Sequence, residues 1–407
     1  MSDVTGQPSR FPNGPFLRYI VGEGVSMTGT WMQAMAQGWV MAGLTSSGQA
    51  MAWVHFAGGI PMIALTLVGG LCADRFDKRR ILQVCQAVQI LLALWIGSLV
   101  GSGQVAIWHV VGAAALLGVS AAFEMPAAAA IVPELAGREH VARAIAIDRA
   151  VFHGTRLIGP ALAGYLVGRF GAESAFYLNA LSFVVLMVVL ATLPPRVKGD
   201  AEHERRRMAG MAEGVRHLRG DRPSLAMVAM LSANTLCVFP VMIVLLPLYG
   251  KHVLEVSADL MGWLMFASGV GSLLGSLLIM ALPVARRGPA IAGSLALICA
   301  GLVSLSLAGG FWWPAVTLLL LALGVSTLVG LANTIVQERS PEEIRGRVSA
   351  ISGLSFFGLL PFAAVAMGTL ADFVGIRGTL LGAACVFAVV GVAVLLWGRP
   401  SSEPAAQ

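Results

Sequence analysis

The chain has 407 residues, 57% hydrophobic and 12% charged, with a formal charge of +6 and a mean hydropathy of +0.81. Soluble domains carry about 25% charged residues, so this composition excludes an ordinary soluble protein and points to a chain that crosses a bilayer many times. The basic residues sit in short loops between apolar runs, not along an aromatic-rich face, so no nucleic-acid partner is expected.

A hydrocarbon core of about 30 Å takes about 20 helical residues. After a polar tail (residues 1–15), the sequence predicts six spans: Phe16–Leu44, Gln49–Ala73, Ile81–Val100, Val105–Val132, Val141–Phe170 and Ser174–Leu193. Residues 194–223 are the one long hydrophilic stretch and read as a linker, within which Met208–Arg219 is a candidate surface-lying helix. Six more spans follow: Ser224–Tyr249, Leu260–Leu282, Ala290–Leu307, Trp312–Val336, Val348–Val374 and Thr379–Trp397, with a short tail at 399–407. Helix is the state expected for all twelve, because open strands would leave backbone groups unpaired in lipid and the runs are too long for barrel strands. The fold class read here is an all-α membrane protein, its halves spanning 16–193 and 224–398.

Candidate functional residues appear along these spans in order. The first carries Glu23, Gln33 and Gln37, and the second His55. Between the second and third lies Gly70-Leu71-Cys72-Ala73-Asp74-Arg75-Phe76-Asp77-Lys78-Arg79-Arg80, an acidic residue closing one apolar run and a basic cluster before the next. Glu124 lies in the fourth span, about 10 Å from its basic edge by helical rise, as does Glu23 in the first. In the fifth, Arg149, His153 and Arg156 share one helical face, and Arg156 sits near mid-span, where a charge is expensive. Glu23 and Glu124 are the acidic partners available to Arg149 and Arg156, with a cavity-facing Arg156 the other reading. Gly159-Pro160 and Gly164 offer close helix approach and a bend. Asn234 and Asn333 are weaker candidates, like His55: a lone His or Asn in a bundle is more often a helix–helix hydrogen bond than a ligand. The tryptophans, Trp31 and Trp39 included, read as interfacial aromatics near span ends.

Lys and Arg fall on alternate loops: 23 of the 27 lie on one side, leaving Arg169, Lys251 and Arg377 opposite and Arg156 within a span. The positive-inside rule makes that side, and both termini, cytoplasmic. The halves also align with each other at a shift of 204 residues, which sets Glu134 on Glu338, Arg143 on Arg347, Gly164 on Gly368 and Gly171 on Gly375. Cys72, Cys85, Cys237, Cys299 and Cys385 read as core residues, with no disulfide and no metal spacing. No Gly-x-x-x-x-Gly-Lys-Ser/Thr sequence occurs, so direct ATP use is not expected, and no cluster of catalytic His, Asp or Cys at a membrane face points to an enzyme or a cofactor.

The Asp74 loop resembles the loop between helices two and three of major facilitator superfamily transporters, with Asp77 standing where the family usually has a second glycine. The segment Thr155-Arg156-Leu157-Ile158-Gly159-Pro160-Ala161-Leu162-Ala163-Gly164 is similar to the fifth-helix signature of the family's antiporters, and Ala163 replaces one of its glycines. With Gly29-Thr30-Trp31-Met32-Gln33, Phe123-Glu124-Met125-Pro126-Ala127 and Gly346-Arg347-Val348, the chain resembles the branch that holds enterobactin exporters and macrolide-efflux proteins. That branch often has Asp-x-Pro followed by Arg in its fourth helix; here alanines follow Pro126.

The resemblance implies two pseudo-symmetric six-helix bundles around a midplane cavity, with both termini in the cytoplasm of an inner-membrane protein that functions as a monomer. It implies a secondary active transporter working by alternating access, exporting a small organic molecule, siderophore or drug against protons or another cation. An importer of the same fold and a lipid flippase are the alternatives. In such a transporter Glu23 and Glu124 are the candidate proton or cation carriers and Arg156 a substrate or coupling contact, a static buried network being the alternative. Asp74, Arg75 and Arg79, beside Lys78 and Arg80, would latch onto the start of Val348–Val374 near Arg345 and Arg347 when the outer face is open.

Overall fold

The computed structural model describes residues 11–194 and 211–397. Most of the expected tails and residues 195–210 of the expected linker lie outside the described residues. The first half builds six helices: α1 (Gly14–Leu44), α2 (Gly48–Arg75), α3 (Lys78–Gly101), α4 (Ile107–Ala136), α5 (Val141–Phe170) and α6 (Glu173–Thr192). A short α7 (Met211–Gly220) precedes α8 (Arg222–Val253), α9 (Ala258–Ala281), α10 (Arg287–Leu307), α11 (Trp312–Glu338), α12 (Arg345–Phe357) and α13 (Leu360–Trp397). Among the described residues there is no strand.

Local chemistry sets the helix starts. Asn13, Ser47, Asp77 and Asp221 cap α1, α2, α3 and α8, each side chain accepting a backbone N–H of the first turn. Prolines interrupt the regular ladder within α8. Pro240 and Pro247 lack an amide hydrogen, and the chain answers with wide π turns at Val241–Leu245 and Tyr249–Val253, so this helix runs four residues past the predicted Tyr249. The predicted single span Val348–Val374 is likewise divided. α12 stops at Phe357, and α13 restarts with Pro361 in its first turn. The 38-residue α13 then turns at Gly375, whose φ of 75° and ψ of 164° no helix accommodates. Gly171, its partner in the sequence repeat, ends α5 with φ 86° and ψ 161°, so the two aligned glycines carry the same backbone.

Nine helical segments among the described residues are long and apolar enough to cross a membrane. Helices α1 and α5, at 31 and 30 residues, fall outside that set. They carry the charged and amide residues singled out above, and they pack along each other.

Helices meet closely where a side chain is missing. A Cβ on Gly164 of α5 would lie 2.8 Å from the Cα of Gly262 on α9, and one on Gly368 of α13 would lie 2.3 Å from the carbonyl oxygen of Gly48 on α2. Small residues at crossings are how helices associate in lipid, where burial from water no longer drives them together. The repeat aligns Gly164 with Gly368, so the two halves use matching positions to touch each other.

The basic loops gather at one end, held by their own contacts. Lys78 pairs with Glu134 at 2.5 Å, Arg287 with Glu338 at 2.5 Å and Arg339 with Asp221 at 2.5 Å. Asn13 donates to the Leu135 carbonyl at 2.8 Å. The α7 helix docks on α12: Glu213 pairs with Arg347, and Gly214 packs against Arg347 and Ile351.

Candidate functional site

A cavity of about 520 Å³ lies among the long helices of both halves. Its wall takes Glu23, Trp31, Gln33, Gln37 and Trp39 from α1, His55 from α2, Gln89 from α3, Glu124 from α4, Phe152 from α5 and Asn179 from α6. Met27, Met35, Met41, Met51, Met125, Met242, Met261 and Met265 add eight thioethers. Glu23, Gln33, Gln37, His55 and Glu124, singled out in the sequence, all line this cavity. Trp31 and Trp39 are wall residues too.

The Glu124 carboxylate accepts from two amides one turn apart on α3, Gln86 Nε2 at 2.8 Å on one oxygen and Gln89 Nε2 at 2.5 Å on the other. Glu23 is buried at 6% exposure beside Tyr19 and Asp148, and its Oε2 has no hydrogen-bond partner. Gln33 Oε1 accepts from Asn179 Nδ2 at 2.8 Å, tying α1 to α6. His55 Nε2 sits 3.0 Å from the Ile243 carbonyl, which only accepts, so the ring donates there and joins α2 to α8.

The arginines are elsewhere. Neither Arg149 nor Arg156 pairs with Glu23 or Glu124, which corrects the ion pairs expected from helix spacing. Arg149 points outward, 68% exposed, with Asp148 at 3.9 Å. The Arg156 guanidinium stacks over the Trp31 ring at 5.4 Å, behind the indole that lines the cavity. A stacked ring supplies a partner for a mid-span cation without a carboxylate. His153 packs edge-on against Phe152 and stays out of the wall. Asn234 is buried outside the cavity, and Asn333 donates to the Val329 carbonyl of its own helix at 2.9 Å. Gly159 abuts the Trp31 side chain and the Thr28 carbonyl, and Pro160 presents its carbonyl to Gly262, so this motif is a helix-crossing surface.

The Asp74 loop borders a separate hollow of about 430 Å³ at the basic end. Asp77, in the place of the family's glycine, caps α3 and accepts from Arg79 Nη2 at 2.6 Å; that bond holds its carboxyl below the usual aspartate range. Arg79 also donates to the Leu193 carbonyl, and Lys78 binds Glu134. Arg345 donates to the Gln337 carbonyl at 3.1 Å, and Arg347 is held by Glu213. Arg79 and Lys78 thus tie the start of α3 to the end of α6 and to α4, and among the described residues no hydrogen bond or ion pair joins this loop to Arg345 or Arg347.

The opposite end holds the bonds that join the halves. Asp372 accepts from Ser47 Oγ at 2.7 Å and from the amides of Gly48 at 2.6 Å and Gln49 at 3.1 Å. His252 Nε2 lies 2.8 Å from the Ala42 carbonyl, and Lys251 Nζ sits 4.7 Å from the Trp39 ring centroid. Among the described residues, the hydrogen bonds between the halves lie here and at His55, away from the basic end. Sequence reasoning missed Asp372, Gln86, Gln89 and Asn179. The last three occur in apolar runs, 38, 35 and 146 positions from the residue they serve, and only the fold brings them together.

A family model described as transmembrane secretion effector matches residues 11–407. The chain is 25% identical over 403 residues to the multidrug efflux pump Tap of Mycolicibacterium fortuitum, covering 95% of this chain and 96% of that protein. It is 20% identical over 366 residues to macrolide efflux protein A of Streptococcus pyogenes, covering 88% and 89%. A solved bacterial homologue of the human lysosomal transporter Spinster, in an inward-facing and unoccupied conformation, superposes with a TM-score of 0.73 at 14% identity, covering 95% and 98%.

Proposed function

The chain belongs to the transmembrane secretion effector family of the major facilitator superfamily, and from that premise we propose that it exports a small organic molecule by alternating access, in exchange for protons. It is a multi-pass membrane transport protein of the efflux branch, not an enzyme. The direction and the coupling are our reading.

We read twelve crossings in two six-helix bundles: the nine apolar segments, the more polar α1 and α5, and a 53-residue stretch, Arg345–Trp397, that doubles back at Gly375. The shared backbone of Gly171 and Gly375 supports the duplication. An even number of crossings with the basic loops inside sets both termini in the cytoplasm, in the inner membrane. One chain encloses the whole cavity, so a monomer suffices. In that orientation the Asp372 contacts close the outer end, and the conformation is inward-facing.

The observation that carries this reading is the pair of acidic side chains, Glu23 and Glu124, in the wall of a chamber closed at its outer end. Ionisable residues at membrane depth are expensive, and facing a solvent-filled cavity between helices is where they serve ion movement. Glu23 is buried beside Tyr19 and Asp148, and its Oε2 has no hydrogen-bond partner, which leaves that oxygen open to a proton or a cation. Glu124, with both oxygens accepting, is poised as the second carrier. When the outer face opens, Asp74, Arg75 and Arg79 would meet the start of α12, with Arg347 exchanging Glu213 for the loop.

The test is accumulation of a compound panel in cells with and without the protein, and with and without a proton uncoupler. The reading expects lower accumulation with the protein, abolished by the uncoupler. Accumulation raised by the protein would establish an importer instead. Glu124→Gln should flatten the pH dependence of export; an unchanged rate and pH profile removes Glu124 as a carrier.

A further inference from the structure

The wall of the cavity is uneven in its chemistry. Its charged members are Glu23 and Glu124, and among the described residues no Lys or Arg lines it. Two cations lie on the wall's indoles: Arg156 over Trp31 and Lys251 over Trp39. His55 uses its Nε2 on a backbone carbonyl. Glu23 is 6% exposed, and its Oε2 finds no donor in the protein. A buried carboxylate oxygen without a donor is costly unless something fills the place, and the cavity is where that partner would stand. Eight methionine side chains and two tryptophans stand among the remaining wall residues. Thioethers are polarizable, flexible and form favourable contacts with aromatic rings, which suits an apolar body of variable shape. At about 520 Å³ the space matches a drug-sized guest.

We propose that this cavity selects organic cations: an aromatic or otherwise apolar body carrying a positive centre, whose sign of charge is read by Glu23 and Glu124. The inference rests on the export reading and narrows it. An anionic chelator of the siderophore type meets two carboxylates and no cationic wall residue, so the drug-like alternative is favoured over the siderophore.

Tetraphenylphosphonium and tetraphenylborate test this directly, being nearly the same in size and shape and opposite in charge. Binding of each to the purified full chain in detergent is measured by equilibrium dialysis, corrected with protein-free micelles. Tetraphenylphosphonium should bind at least about tenfold more tightly, as expected for an ion beside an opposite charge in a partly desolvated site. Glu124→Gln and Glu23→Gln should each weaken it several-fold and leave tetraphenylborate unchanged, while Glu124→Asp, which keeps the charge, should retain the preference. Equal or tighter binding of tetraphenylborate, no binding of either ion, or Gln variants that bind the phosphonium like wild type would overturn the proposal. The export reading fails separately. If proteoliposomes with an imposed proton gradient bind the phosphonium but never move it, export is refuted and the charge preference stands.

Discussion

The Asp372 carboxylate accepts a 2.6 Å hydrogen bond from the backbone amide of Gly48, 324 positions earlier in the chain. With Ser47 Oγ and the Gln49 amide it takes three donors from the start of α2. A carboxylate at a helix N-terminus meets both unsatisfied N–H groups and the positive end of the helix dipole. The bond is therefore specific to one arrangement of the two halves: it exists only while they touch at this end.

Asp372→Ala should shift the protein toward the arrangement open at this end. Hydrogen bonds to a charged acceptor contribute about 1.5–3 kcal/mol each when buried, and Asp372 is exposed, so about 2 kcal/mol for the set is a discounted figure. That corresponds to about a thirtyfold population change. Spin labels at Thr45 and Phe373 should show a longer distance population in the variant; an unchanged distribution would mean that Asp372 does not hold the halves together.

Gly164→Val should abolish transport while Gly112→Ala should not. The first would drive a side chain into Gly262, whose Cα would be 2.8 Å from the new Cβ, and the second has nothing within 4 Å. Overpacking of this kind costs about 1–3 kcal/mol and displaces the helices. Transport assays on membranes with matched expression decide it.

Stability in acid should depend on Asp221. Its hydrogen bonds to Arg339 push its carboxyl down to about 2, from an ordinary value near 4. A group depressed in the folded state contributes fully above its unfolded value, and that contribution is lost as pH falls through the folded one. Thermal unfolding of the detergent-solubilised protein should thus drop between about pH 4 and pH 2, less steeply in Asp221→Asn. At neutral pH that variant should lose no more than about 1 kcal/mol, because Asn still caps the helix and the loss is the half-exposed pair with Arg339. Equal slopes for the two proteins would remove Asp221 as a contributor.

The helices were legible because an apolar run of about twenty residues between basic loops is stable in lipid only as a helix, and the cavity acids were legible because a carboxyl in such a run is too costly to stand there idle. Their partners were not. Spacing along α5 put Arg149 and Arg156 on one face and invited a pairing with Glu23 and Glu124. The fold turns Arg149 outward, lays Arg156 on Trp31, and gives Glu124 to Gln86 and Gln89. Neutral amides in apolar runs carry no signal until a neighbouring helix is known. The same holds for Asp372: a carboxylate at a span end reads as a boundary, and its role depends on a turn of chain more than 300 positions away. Helix breaks at Phe357 and Gly375 were hidden because hydropathy registers apolar length and is blind to backbone dihedrals.

Arg156→Lys should keep much of the transport rate and Arg156→Gln should lose several-fold more, because an ammonium can still sit over Trp31 and an amide cannot replace the cation–π contact, worth about 1–2 kcal/mol when desolvated. The loss should appear in the apparent affinity for substrate, since Trp31 forms the wall. Equal loss in both variants would assign the guanidinium a direct contact with the substrate.

The central claim is that an organic substrate and a proton exchange through the carboxyls of one cavity. Everted membrane vesicles acidified inside, with a pH-sensitive dye, measure this in one step. Adding a transported compound should release the proton gradient in vesicles carrying the wild-type chain, and should fail to do so with Glu23→Gln or Glu124→Gln at equal expression. Substrate-evoked proton release that persists at the wild-type rate in both variants, or transport that continues after the gradient is collapsed, would contradict it.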